Sequence, residues 1–593
     1  MNLNPKQLEA VEHGEGPILI AAGAGSGKTR TLTARLAKIL ERGAKPEEIV
    51  AITFTNKAAQ EMRERVAKQI NNSKITENLF IGTFHSFGAR ILRTECRLLG
   101  RTMAYTIYDS DDSLALIKQV MKSMNLSKEK HSASAFQREI SRVKNELIQP
   151  EEYLDEISAR VYQDYEEALA KNNAFDFDDL IEKVAQLFKK HPAVKEKYQN
   201  QFRYVLVDEY QDVNTSQYYF ARLLAEKHQN ISVVGDDQQA IYSFRSADFR
   251  NFLNFERDWP KAKVVKLEQN YRSVGNIITA ASAVVANNTM QKPKTLWTES
   301  PAGELVKIVQ AADAEAEAWW VAEEIQNKLE NRNEKLESIT VLYRTNAQSR
   351  AIEQALISLR IPYRLFGGVK FYERKEVKDM LAGLRFAHNP KDAVSRERLE
   401  KAFTKAVREK LISDLPNFAE KLTLMELINF FLVNADYFEY LDKHFKNANE
   451  RVENINELIV FASEFKTLGE FLEKVTLLQS ADRSQNGENV AALVNLMTIH
   501  IAKGLEFDSV FLVGCNEGFM PHQFSYGKLE DIEEERRLMY VAMTRAKKNL
   551  YISFADLPSR FLGEIPGDLT EFINLTGKSK TLDDEYSYIE DGG

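Results

Sequence analysis

The chain has 593 residues, 44% of them hydrophobic and 28% charged, with a formal net charge of −8 and a pI of about 5.8. That length exceeds what one hydrophobic core sustains, so several domains are expected, and the acidic balance excludes a surface coated indiscriminately by polyanions while leaving room for a local basic groove. No apolar run reaches membrane-spanning length, the start MNLNPKQLEA lacks the regions of an export signal, and the two cysteines, Cys96 and Cys515, form no CxxC pair, so zinc ribbons and iron–sulfur clusters are unsupported and a reducing, cytoplasmic location is expected.

Asn4 and Pro5 read as the N-cap and first residue of a helix running towards His13. Gln7, inside it, is either a solvated first-turn amide or a bidentate reader of a purine edge. Ile18, Leu19 and Ile20 then read as a buried strand, Gly23 to Gly27 as a crowded loop, and Lys28-Thr29 as a helix opening. The match is to the phosphate loop G-x-x-x-x-G-K-[ST], with Ala22 in the first glycine position and Gly23 one place late. In such a loop the backbone of Ala22, Gly23, Ala24, Gly25, Ser26 and Gly27 surrounds the β-phosphate, Lys28 reaches the β- and γ-phosphates, and the Thr29 hydroxyl holds magnesium. An ordinary glycine-rich turn is the alternative. Leu32, Leu36, Ile39 and Leu40 share one helical face as far as a C-cap at Gly43.

Ile49 to Phe54 forms a second apolar run, followed by Lys57, and Phe80 to Phe87 a third, containing Thr83 and His85. Ligands bind outside the carboxyl ends of parallel strands, which singles out Phe54, Lys57 and His85, although each alone is compatible with core packing or a solvated charge. From about Arg93 to Ala174 charged, helix-forming sequence predicts an inserted helical domain. Tyr204 to Val207 is an apolar strand closed by Asp208 and Glu209, the pair that phosphoryl transfer needs, one carboxylate for Mg²⁺ and one for the attacking water. After the strand Ile231 to Gly235, Gln239 is placed to sense a γ-phosphate, and Tyr242 and Phe244 offer ring faces to bases or else to a core. A second αβ region opens near Lys263, carries Gln269-Asn270-Tyr271-Arg272-Ser273, and continues through Ile339 to Arg344.

Taken together, AGAGSGKT from Ala22, ITFTNKAAQEM from Ile52, GTFHS from Gly82, FDFDDL from Phe175, VDEYQD from Val207, GDDQQAIYSFR from Gly235, QNYRS from Gln269, YRTNAQSR from Tyr343, LMTIHIAKGLEF from Leu496 and YVAMTRAKK from Tyr540 resemble the UvrD/PcrA/Rep group of superfamily-one DNA helicases over nearly the whole chain. The resemblance implies an α/β protein of two RecA-like P-loop motor domains, each with a mainly helical insertion. The expected limits are 1–93 and 175–264 for the first motor domain, 94–174 for its insertion, 265–372 and 491–576 for the second motor domain, 373–490 for a shortened insertion and 577–593 for an acidic disordered tail. It implies ATP and Mg²⁺ as cofactors, with Lys28, Thr29, Asp208 and Glu209 as above and Gln239 coupled to the γ-phosphate. Gln7, Arg30 and Tyr271 are implied at the adenine, Glu506 at the ribose, and Arg272 and Arg545, from the second motor domain, at the transition-state charge when a cleft closes. Phe54, Lys57, Thr83, His85, Tyr242, Phe244, Arg344, Arg350, His500 and Phe561 are implied strand contacts, Arg344 and Arg350 having an exposed helix face as their alternative. Rings against bases and cations along phosphates make a sequence-indifferent track.

The implied activity is ATP-driven 3′ to 5′ movement on single-stranded DNA and at single/double-strand junctions, with strand separation, in repair or replication and without a membrane. The chain departs from the pattern in the second insertion, where Leu399 to Lys410 contains no glycine although the family commonly carries an Arg-Gly-Ile-Gly stretch there that grips duplex, so a weaker duplex grip is expected. Phe244 stands where tryptophan is common, Gln238 where an acidic residue is common, and Met543 where an aliphatic residue is usual. No appended nuclease is expected after Phe561. Two other activities remain open: a single-strand translocase that strips proteins but unwinds weakly, and a nucleotide-gated DNA-binding scaffold without turnover.

Overall fold

Strand β1, Ile18–Ala22, is buried at every position, without the alternation of a half-exposed strand, because it lies inside a parallel sheet covered on both faces. It belongs with β2 (Ile49–Thr53), β3 (Phe80–Thr83), β6 (Tyr204–Val207), β7 (Ile231–Gly235) and β8 (Lys263–Leu267) in a six-stranded sheet of order β3-β2-β6-β7-β1-β8, all neighbours parallel. The computed structural model describes residues 3–71, 78–127, 131–331, 334–366, 371–390, 392–419, 421–445, 447–472, 475 and 493–576. The acidic tail expected at 577–593 and the end of the second insertion, 476–490, lie outside the described residues. Among the described residues no helix is long and apolar enough to cross a membrane.

The sheet order decides function, because it places the carboxyl ends of β6, β7 and β1 side by side. The phosphate loop, the Asp208-Glu209 pair and the Asp236–Gln239 turn therefore meet at one edge, with the ends of β2 and β3 beside them. The first insertion pairs β4 (Thr106–Tyr108) with β5 (Ala174–Asp176) and packs helices Ser110–Ser123, Ala133–Glu146 and Glu156–Lys171 around Ile117, Phe136, Val161 and Leu169. Its anchor is the buried Lys144 ammonium, which reaches Glu166 at 2.6 Å, Asp176 at 2.7 Å and Asp179 at 2.8 Å. The acidic residues of FDFDDL thus hold a lysine, and the place where three carboxylates converge is already filled by its charge.

The chain divides into two compact units, residues 1–272 with 288–299, and residues 273–287 with 300 onward. This moves the division expected between 264 and 265: β8 pairs with β1 from Ile18↔Lys263 to Ala22↔Leu267, so that strand completes the first sheet. The second unit holds a seven-stranded sheet of β9 (Val306–Gln310), β10 (Ile339–Tyr343), β11 (Tyr363–Leu365), β12 (Val494–Thr498), β13 (Phe507–Leu512), β14 (Ala546–Phe554) and β15 (Thr570–Asn574), in the order β11-β12-β10-β13-β14-β9-β15, again parallel throughout. Its insertion includes helices Lys375–His388, Ala393–Ala402, Lys405–Phe418, Leu424–Asn434, Tyr437–His444 and Ala448–Ala462 around Leu384, Leu411, Phe431 and Leu458.

Candidate nucleotide and nucleic-acid site

The phosphate loop turns through two left-handed glycines, Gly25 at φ +64° and Gly27 at φ +82°, a conformation that side chains resist. Gly27 is the N-cap of helix Lys28–Glu41 and supplies no capping side chain, so the first-turn N–H dipoles point into the loop, as anion binding requires. The displaced glycine is explained by packing: a Cβ on Gly23 would lie 2.1 Å from Leu296 Cδ2, whereas Ala22 sits within the strand.

Lys28 Nζ lies 3.5 Å from Glu209 Oε2, and the Thr29 hydroxyl donates to Asp208 Oδ2 at 3.2 Å. Burial, reinforced by the neighbouring Glu209 charge, pushes the Asp208 carboxyl up to about 7, against the pull of Lys28, a backbone N–H and Thr29. Hard oxygens on Thr29 and Asp208 beside a second carboxylate suit Mg²⁺, whose charge would relieve that crowding. Glu209 is left-handed at φ +50°, a conformation that costs about 1–3 kcal/mol for a residue with a side chain. The fully buried Gln211 restrains it: its Nε2 donates to Glu209 Oε2 at 2.7 Å and to Asp212 Oδ2 at 3.0 Å, while its Oε1 accepts from Asp236 N at 2.9 Å. Gln239 Nε2 in turn donates to Asp236 Oδ2 at 2.6 Å. The water-activating and phosphate-sensing candidates therefore belong to one hydrogen-bonded chain.

A collar of two segments closes on the loop within the same unit. Asn270 Nδ2 donates to Ala24 O at 2.7 Å, Tyr271 N donates to Gly25 O at 3.0 Å, and Asn270 N and Trp297 O join the segments at 2.8 Å. Gln7 is buried, not solvated. Its Oε1 accepts from Asn4 N at 3.0 Å and its Nε2 donates to Ser26 O at 3.0 Å, which leaves one lone pair and one N–H of capacity for a purine. Asn4 also donates to the Tyr271 hydroxyl at 2.8 Å, and the Tyr271 ring remains 48% exposed, so an amide edge and a stacking face lie together beside the loop. Arg30 is half-buried in the first turn of the following helix. Arg272, expected on the second motor domain, belongs to the first unit, its Cβ 2.8 Å from where a Cβ on Gly25 would stand.

The side chain of Lys294, which the sequence did not single out, is fully buried against this edge. Its Nζ lies 2.5 Å from Asp236 Oδ1 and 2.6 Å from Asp237 Oδ1. Burial opposes its charge, but the two carboxylates outweigh that and raise its pKa.

Alongside, Phe54 and Tyr242 stack with centroids 5.5 Å apart and planes 11° inclined, and Phe244, 64% exposed, meets Tyr242 edge-on at 5.9 Å. The Arg245 guanidinium lies 5.5 Å from both the Tyr242 and Phe244 rings. His85 stacks on Phe177 at 4.0 Å, and burial holds its imidazole down at about 4. Phe177, in FDFDDL, is 53% exposed and so offers a ring face beside His85; the alternation of rings and acids in that segment is the sequence signal for it. Lys57 is exposed, and Thr83 is the N-cap of helix Phe84–Glu95, accepting from Ser86 N at 3.2 Å.

The second unit treats its candidates differently. Arg350 is 2% exposed, held by Glu457 at 3.3 Å, Glu315 at 3.7 Å and the Phe461 ring, and Phe561 is fully buried beneath the Arg536 guanidinium at 5.1 Å. Neither presents a surface to a strand, which corrects that expectation: internal carboxylates and packing have taken both. Arg344 forms a bidentate pair with Glu535, at 2.8 and 3.1 Å, and His500 is half-buried in the short helix Ile499–Ala502. Arg545 is buried and donates to Val541 O at 3.0 Å, Leu505 O at 3.1 Å and Thr544 Oγ1 at 3.1 Å. Glu506 is exposed and pairs with Lys547 at 2.8 Å.

Residues 3–260 match the UvrD/REP helicase N-terminal domain, and residues 265–456 and 435–556 match the UvrD-like helicase C-terminal domain. The chain is similar to the ATP-dependent DNA helicase PcrA of Bacillus subtilis, 40% identical over 98% of this chain and 87% of that protein. It is also similar to the proteins of the same name from Staphylococcus aureus, 38% identical over 98% of this chain and 88% of that protein, and from Staphylococcus epidermidis, 39% identical over 96% and 87%.

Proposed function

This chain belongs to the UvrD/REP helicase family, and from that premise we propose that it is an ATP-dependent DNA helicase that moves 3′ to 5′ on single-stranded DNA and opens duplex at junctions, in repair or replication in the cytoplasm. The observation that carries the reading is the single edge of the first sheet on which a phosphate loop, the Asp208-Glu209 pair and two aromatic stacks converge. Thr29 and Asp208 are the residues to hold Mg²⁺, which supplies charge neutralisation at the phosphates. Lys28 neutralises the β- and γ-phosphates, Glu209 orients the attacking water and Gln239 senses the γ-phosphate. Gln7, Arg30 and Tyr271 hold adenine and Glu506 the ribose, while Arg272 and Arg545 meet the charge of the transition state. For Arg545 this role requires its guanidinium to leave the carbonyls of Val541 and Leu505.

Displacement of duplexes bearing a 3′ or a 5′ single-stranded tail tests the reading. Unwinding is expected only from the 3′ tail, and Lys28→Ala is expected to abolish strand-stimulated hydrolysis; 5′ unwinding or an active K28A variant refutes it.

A second reading, translocation that strips proteins with weak unwinding, has one observation in its favour. Residues 399–410 lie largely in helices Ala393–Ala402 and Lys405–Phe418, where backbone N–H groups beyond the first turn are committed to the helix and so do not serve as a glycine-rich grip. Rapid translocation by a monomer that fails to displace a 3′-tailed duplex would establish it.

A further inference from the structure

We propose that Lys294 is a positioning residue for turnover, acting on Gln239 through Asp236. The inference rests on the reading of the nucleotide site above. After the first sheet is complete and the chain has entered the second unit, Asn288–Glu299 returns to the first. Lys294 is its deepest charge, and both carboxylates facing it are fully covered. The Asp236 carboxylate is fixed at both oxygens: Oδ1 takes the Lys294 ammonium at 2.5 Å and the Gln238 N–H at 3.2 Å, and Oδ2 takes the Gln239 amide at 2.6 Å. Asp237 is held likewise, by Lys294 at Oδ1 and by Lys292 N at Oδ2, 2.7 Å away.

Only the NH₂ end of a glutamine donates to a carboxylate, so an immobile Asp236 carboxylate sets which end of Gln239 faces inward and hence where its carbonyl oxygen stands. Without the ammonium, the two adjacent carboxylates lose the group that holds both of them, and their like charges push them apart. An Asp236 carboxylate that is free to turn no longer dictates the orientation of the Gln239 amide. Lys294 thereby holds a candidate phosphate sensor without being placed to touch substrate, and the same segment covers the phosphate loop through Leu296 on Gly23.

The experiment measures steady-state ATP hydrolysis at saturating single-stranded DNA, together with strand affinity, for the wild-type chain, K294M, K294R, Q239A, K294M/Q239A and the charge-free D236N/D237N/K294M variant. A misplaced catalytic geometry costs up to about a hundredfold, so K294M is expected to lower kcat roughly ten- to a hundredfold with KM for ATP and strand affinity near wild type. K294R, which keeps the charge, recovers part of the loss. K294M/Q239A should turn over no more slowly than Q239A alone, because two changes in one chain of contacts are not additive. The charge-free variant removes the folding penalty of unpaired buried charge and should still turn over slowly. Wild-type kcat in K294M or in the charge-free variant, or losses that multiply in K294M/Q239A, overturns the proposal. A wild-type chain without strand-stimulated hydrolysis overturns both this proposal and the helicase reading, which separates the two failures.

Discussion

Replacing His85 with alanine removes one ring from the His85–Phe177 stack, whose centroids are 4.0 Å apart and planes 24° inclined. Burial keeps its imidazole near 4, so at about pH 7.5 only roughly three molecules in ten thousand carry a proton there. If His85 contacts a strand as proposed, its contribution is therefore stacking and hydrogen bonding, without an ion pair to phosphate. A ring–base stack is worth about 1–3 kcal/mol by alanine substitution, or about 5- to 150-fold in Kd. Because no phosphate charge is neutralised, H85A should leave the slope of log affinity against log salt unchanged, whereas removing the exposed cation in Lys57→Ala should flatten that slope by about 0.7. Fluorescence anisotropy of a labelled oligothymidylate between about 50 and 200 mM salt measures both quantities. A slope reduced by H85A as much as by K57A refutes the neutral-ring account. Stability carries a second signature. The folded pKa of His85 is depressed from 6.5 to about 4, so the unfolded chain takes up the proton first. This contribution is complete above pH 6.5 and lost as pH falls towards 4, with a total of at most about 3 kcal/mol. His85→Phe should remove that part of the acid dependence.

Binding of Mg²⁺ with ADP should strengthen about tenfold between about pH 6 and 8, because the ion requires an ionised Asp208 and burial raises that carboxyl to about 7. Glu209→Gln should move the midpoint down, since the Glu209 charge is the next cause of the rise; calorimetric titration across pH with an unmoved midpoint would contradict this. The same raised carboxyl works against folding as pH climbs from 3.8 towards 7, so the stabilisation conferred by the metal–nucleotide pair should grow over that window. Lys144→Met strips the charge from between Glu166, Asp176 and Asp179 and should cost about 3–5 kcal/mol in urea unfolding, by leaving buried carboxylates unpaired. Gly88→Ala places a Cβ 1.8 Å from the Leu180 carbonyl oxygen, where helices Phe84–Glu95 and Asp179–Lys190 cross. Since backbone cannot rotate away, a loss of about 1–3 kcal/mol or more is expected, and an unchanged melting temperature would show that the helices separate freely.

The sequence by itself singled out the phosphate loop, the Asp208-Glu209 pair and the rings at Phe54, Tyr242 and Phe244 as candidates, because each is a short strand-to-loop segment whose residue types carry its chemistry. The individual strands, the helical segment between Arg93 and Ala174 and a second αβ region were legible because strand and helix periods are local, whereas the pairing of two motor domains, each with an insertion, came from the resemblance of the ordered motifs. Tertiary structure alone decided which candidates keep a free surface. Arg350 and Phe561 match their motifs in residue type, yet carboxylates and a guanidinium from elsewhere in the second unit enclose them. Conversely, Lys294 and Leu296 stand in no segment that composition distinguishes, and they matter only because the chain folds back some 270 residues later onto the loop at Gly23. Burial and ion pairing are properties of neighbours in space, so residue type names the available chemistry while the packing of distant segments determines whether that chemistry is exposed or already paired.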